Sequence, residues 1–131
     1  MDKTNMQLFD EITARVFAQL YGAFPLAVSV DCMTLMGASQ IDDYGNVTRE
    51  ANLCIHSLRW LHNEGYVKVV TFGQCHASGV VLTAKGLAAL KSSPESLEYK
   101  QTLGERIVSA IHNDAISTAV GVVGLILSQV G

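Results

Sequence analysis

The chain has 131 residues, of which 49% are apolar and 16% charged, and it carries a formal net charge of −3. That length suits one hydrophobic core plus an appendage, and the apolar content excludes wholesale disorder because burial offsets the entropy of ordering the chain. The acidic balance excludes a positive field spread over the whole molecule.

Met1-Asp2-Lys3-Thr4-Asn5 lacks the basic start and apolar run of an export signal, so none is expected. From Asn5 to Ala23, Phe9, Ile12, Val16 and Leu20 recur at three- and four-residue steps, with Phe17 widening the stripe, which predicts an amphipathic helix. Asp10 and Glu11 suit its positive end, and Gly22 and Pro25 stop it. Leu26, Val28 and Val30 alternate with small residues, which predicts a short strand over Leu26 to Val30. Cys32 to Met36 has room for one helical turn after an Asp31 cap, and Gly37 to Asn46 reads as loop.

Thr48 is a good N-cap for a helix over Arg49 to Glu64, with Leu53, Cys54, Leu58 and Leu61 at helical spacing, Trp60 on a flank and Gly65 as the left-handed stop. Tyr66 to Phe72 and Val80 to Leu82 are β-branched and aromatic, so they read as a hairpin with a seven-residue tip, Gly73 to Gly79. Thr83 caps a short helix, Ala84 to Leu90, whose Leu87 and Leu90 close over the hairpin. These parts define a unit over residues 1–91, and the Ser- and Pro-containing stretch 92–101 reads as a linker.

Beyond the linker, Thr102 and Glu105 form a capping-box pattern that opens a C-terminal helical extension, residues 102–131, as one long helix or two shorter ones. Its most apolar run, Ala115 to Leu127, has 13 residues, short of the roughly 20 that a spanning helix needs. No membrane association is expected, and a cytoplasmic protein fits. The apolar stripe exceeds what the first unit requires, so the extension is expected to pack on Phe9, Ile12 and Val16 or on a second chain as a dimer. Candidate oligomerisation residues are Ile111, Ile116, Val120, Val123 and Leu127, with Ala119, Gly121 and Gly124 permitting close approach.

Leu58-Arg59-Trp60-Leu61-His62-Asn63-Glu64-Gly65-Tyr66-Val67, followed by Val81-Leu82-Thr83-Ala84-Lys85-Gly86-Leu87-Ala88-Ala89-Leu90, resembles the winged-helix superfamily. It is most similar to small bacterial transcription regulators of the PadR and MarR kind. The resemblance implies an α+β winged helix over Thr48 to Lys91, in which Leu-Thr-x-x-Gly closes the second wing strand into a helix. It also implies that Arg49 to Glu64 enters the major groove of double-stranded DNA. Arg49, Asn52, His56 and Arg59 are then the candidate readers, since arginine bridges a guanine edge and asparagine an adenine edge. Lys68 and Lys85 join them, because residues 48–91 hold Arg49, Arg59, Lys68, Lys85 and Lys91 against Glu50 and Glu64, a balance of +3. The tip carries no Lys or Arg, where many DNA-binding relatives place one. Such folds also serve as protein-docking modules, so a protein partner is the alternative expectation.

Other constellations are thinner. Cys32, Cys54 and Cys75 lack the spacing of a disulfide framework and fit a reducing compartment, with Cys54 expected to be buried and Cys75 exposed. Cys54, His56, Cys75 and His76 invite a zinc site, but Cys54 and His56 face directions about 160° apart on a helix. An exposed Cys75 beside His76 would favour thiolate. No nucleophile elbow, P-loop or dinucleotide pattern is present, and Asp42-Asp43 sits on a polar loop, so neither an enzyme nor a cofactor is expected.

Overall fold

The computed structural model describes residues 3–37, 42–93 and 101–128. It is an α+β arrangement in which α1 (Asn5–Ala23) is followed by β1 (Val28–Asp31), α2 (Cys32–Met36) and α3 (Arg49–Asn63). Then come β2 (Val67–Lys68), β3 (Thr71–Phe72), β4 (His76–Leu82), α4 (Ala84–Lys91), α5 (Leu103–His112) and α6 (Ile116–Leu127). Among the described residues no helix is long and apolar enough to cross a membrane. The linker expected over 92–101 lies mostly outside the described residues.

The expected stripe on α1 is present, but burial extends around most of the helix. Ile12, Ala14, Val16, Phe17 and Leu20 are enclosed, and so are Glu11 and Thr13. The cause is tertiary: α3, α5, α6 and the sheet all pack on α1, making it the central helix. Small side chains at Thr13, Ala14 and Ala18 leave room for neighbours on faces where a bulky residue would hold them away. Glu11 tolerates its position by pairing with Lys3. A reciprocal capping box between Thr4 and Gln7 opens the helix.

Three of the four strands meet on β4, antiparallel throughout, with β1 on one edge and β2 and β3 on the other. The sequence expectation for this hairpin needs two corrections. The strand Tyr66 to Phe72 is interrupted at Val69 and Val70, and the second strand begins at His76 instead of Val80, shortening the tip to Gly73–Cys75. A β-bulge explains the second difference. Between the pairs Val28↔Val80 and Val30↔Ala77 the register shifts, and Gly79 sits there at φ 65°. Inward-facing residues therefore run Cys75, Ala77, then Val80, Leu82, so the alternation changes phase within one strand. A period-two reading loses the strand at that point.

The expected strand Leu26 to Val30 is also shifted. Leu26 is 71% exposed and precedes the first β1 residue, Val28. Asp31 caps α2 as expected, its Oδ1 accepting from the amides of Met33 and Thr34.

At the end of α3 the chain turns through Gly65 at φ 84°, with Gly65 N–H donating to His62 O at 3.1 Å and Tyr66 N–H to Leu61 O at 2.9 Å. The C-terminal extension is two helices, because Asp114 adopts φ 59° and Ala115 N–H returns to Ala110 O at 2.7 Å. Both helices pack against α1 of the same chain, and Leu103, Ile107, Val123 and Ile126 join its core.

Candidate nucleic-acid interface

Helix α3 has two chemically distinct sides. Ala51, Cys54, Ile55, Leu58 and Leu61 face the core, while Asn52, His56, Arg59 and Asn63 are exposed. The exposed set is spaced four, three and four residues apart, so it forms one stripe along the helix.

The hairpin stands next to this stripe and is pinned to it by one ring. The Arg59 guanidinium lies 4.6 Å from the centroid of Phe72 on β3, and the His62 ring meets the same ring edge-on at 5.6 Å. His62 Nδ1 is buried with no hydrogen-bond partner. Asn52, His56 and Arg59 are thus brought together with the hairpin at their side.

The other candidate cations are dispersed. Arg49 opens α3 and is tethered to the start of α1, its Nη2 donating to Lys3 O at 2.7 Å and to Asn5 Oδ1 at 2.8 Å. Lys85 is held at the opposite end, where Nζ donates to Glu64 O at 2.8 Å and lies 4.4 Å above the Tyr66 ring. At 1.5 Å per residue the helix separates these two ends by roughly 22 Å. Lys68 is exposed on β2.

Beside the polar stripe lies an apolar cleft of about 380 Å³ between α1 and α3, walled by Met6, Phe9, Leu53 and Trp60. Met6 is 65% exposed and Trp60 42% exposed, and the Phe9 and Trp60 rings meet edge-on at 5.4 Å. Sequence reasoning placed Phe9 in the core and Trp60 on a flank, and missed that they meet. The available signal was Leu53 and Trp60 seven residues apart, off the core-facing angle of α3.

The cysteines are arranged differently from expectation. Cys54 is buried as expected, but Cys75, the residue immediately before β4, is also buried, at 6% exposure. Cys32 N–H donates to Cys75 O at 3.0 Å, joining these two positions. A thiol hydrogen bond to Cys32, together with burial, pushes Cys54 far above the ordinary thiol range, and the same bond lowers Cys32. Burial raises Cys75 as well, which opposes the thiolate expected there beside His76. Cys54 faces inward and His56 outward, so these two cannot ligate one ion. Among the described residues no group of three His, Cys, Asp or Glu is placed to hold a metal.

Of the candidate oligomerisation residues, Val123 is enclosed by its own chain, so its side chain is already used in cis. Ile111, Ile116, Val120 and Leu127 are partly buried, whereas Leu125 is exposed beside Gly121 and Gly124. Comparison with protein-family models, with curated proteins and with solved structures finds no match.

Proposed function

We propose that this chain is a cytoplasmic, dimeric winged-helix protein that binds double-stranded DNA in a regulatory role, with α3 as the helix presented to the major groove. The observation that carries this reading is the exposed stripe Asn52, His56 and Arg59, set beside a hairpin that Phe72 holds against it. Arginine and asparagine have the donor geometry for purine edges. The element order supports it too: a helix, a strand, two helices and a hairpin, with the first strand paired to the last hairpin strand. Exposed Leu125 with Gly121 and Gly124 offers α6 a flat surface for a second copy, consistent with a dimer.

Titration of a labelled random-sequence duplex by fluorescence anisotropy tests the proposal. Saturable binding at low salt is expected, falling steeply as salt rises because phosphate contacts release counterions. Arg59→Ala should weaken it and lower the salt slope by about 1, the loss of one phosphate-neutralising cation. Flat isotherms at low salt would remove the DNA reading.

A second reading has its own support. The apolar cleft at Met6, Phe9, Leu53 and Trp60 suits an apolar side chain of a protein partner, which favours a docking or assembly module. Under that reading Trp60→Ala abolishes partner capture while Arg59→Ala leaves it intact.

A further inference from the structure

A second cleft, of about 500 Å³, lies where α1, β1, α2 and α5 meet, and none of its lining residues belongs to α3 or the hairpin. Its volume falls within the range of small-molecule sites, about 300 to 1,000 Å³. One part of its wall is aliphatic, with Ala18 from α1, Leu35 from α2, and Val108 and Ile111 from α5, and the rest is polar, with Gln19, Ser29, Thr34 and His112 beside Arg15 and Asp31.

Arg15 enters this cleft from the central helix, between the fully enclosed Ala14 and Val16. It is half-buried, its Nε is buried without a hydrogen-bond partner, and among the described residues it takes part in no ion pair. A guanidinium drawn partly out of water with a donor left unmatched is costly, and an anionic acceptor is what its geometry fits. Asp31 faces the same cleft, its Oδ1 accepting from the amides of Met33 and Thr34. Its negative charge opposes any anion here, a dianion about twice as strongly as a monoanion, so a single carboxylate is the less penalised ligand.

We propose that this cleft binds a short aliphatic monocarboxylate, with the carboxylate on Arg15 and the hydrocarbon body against Ala18, Leu35, Val108 and Ile111. The ligand's charge offsets that of the half-buried guanidinium, and its body covers aliphatic surface contributed by α1, α2 and α5. This site is independent of what α3 binds.

The test is an amide chemical-shift titration of the isotope-labelled full chain with hexanoate, 1-hexanol and inorganic phosphate in separate arms, with no DNA present. Hexanoate should give saturable shifts at Ala18, Leu35, Val108 and Ile111, with a midpoint below about 20 mM, the weakest binding expected at ordinary ligand efficiency for a molecule of its size. The neutral alcohol lacks the charge-assisted bond and should bind at least about tenfold more weakly. Phosphate should leave those amides unmoved. Arg15→Met, which keeps the apolar stem, should weaken hexanoate by a similar factor, and Arg15→Lys should recover part of it. Equal midpoints for hexanoate and 1-hexanol would overturn the proposal, as would phosphate matching hexanoate, shifts confined to other regions, or no saturation. Where Arg15→Met fails to fold, the three arms on the unaltered chain decide the matter alone.

Discussion

A Cβ added to Gly86 would lie 2.2 Å from the carbonyl oxygen of Tyr66. That approach is the physical content of the Leu82-Thr83-Ala84-Lys85-Gly86 sequence. Thr83 Oγ1 donates to Gly65 O and accepts from Gly86 N–H at 3.0 Å, while Thr83 N–H donates to Tyr66 O at 3.1 Å. One threonine therefore closes the end of α3, the start of β2 and the start of α4 into a single knot, and the glycine lets α4 sit close enough for it to form.

Gly86→Ala should destabilise the chain by about 1 to 3 kcal/mol, since the obstruction is backbone and cannot rotate aside. Gly22→Ala in α1 is the matched control, because a Cβ there meets nothing within 4 Å. It should stabilise by about 0.5 to 1 kcal/mol through helix propensity. Urea denaturation of both variants checks the pair, and equal effects would contradict the close approach.

Leu61 is fully enclosed, and its carbonyl receives Tyr66 N–H at the end of α3. Leu61→Ala should cost about 2 to 5 kcal/mol, with the upper end expected where the surroundings cannot collapse into the space. A loss under about 1 kcal/mol by equilibrium unfolding would be inconsistent with this burial.

Helix α3 was readable from sequence because three signals agreed: the Thr48 cap, the leucine spacing and the Gly65 stop. The α4 start was readable for the same reason. Residues His76 to Gly79 were not, because the bulge at Gly79 breaks the alternation on which strand recognition depends. The burial around α1 was hidden for another reason: Thr13, Ala14 and Ala18 carry no strong apolar signal, and only the neighbours that cover them reveal the burial. Of the candidate site, Asn52, His56 and Arg59 share the stripe expected from their spacing. The role of Phe72 depended on a contact between elements that no local pattern encodes.

The Arg59 and Phe72 pairing joins hairpin to helix, and it predicts a measurable coupling. A double-mutant cycle with Arg59→Ala and Phe72→Leu should give an interaction of about 0.5 to 1 kcal/mol in stability, the range for an exposed cation over an aromatic face. Additive effects would mean the hairpin is held by other contacts, such as His62 on the same ring.

The buried thiols predict how stability changes in alkali. Cys54 is raised by its hydrogen bond with Cys32 and by burial, and Cys75 by burial, both from an ordinary value of 9.0. Above that pH the unfolded chain releases these protons while the folded chain retains them. The unfolded state then binds fewer protons, so stability falls as pH rises beyond about 9. Cys32 is lowered by the same hydrogen bond and acts with the opposite sign, adding stability as pH rises towards 9. The decline therefore begins only above that point. Cys75→Ala removes one raised thiol and leaves the Cys32–Cys54 hydrogen bond in place: it should be less stable at pH 7 through lost packing, yet show a shallower loss between about pH 9 and 10.5. Melting temperatures of both chains across that interval check this, and parallel slopes would mean that the Cys75 proton is not held by the fold.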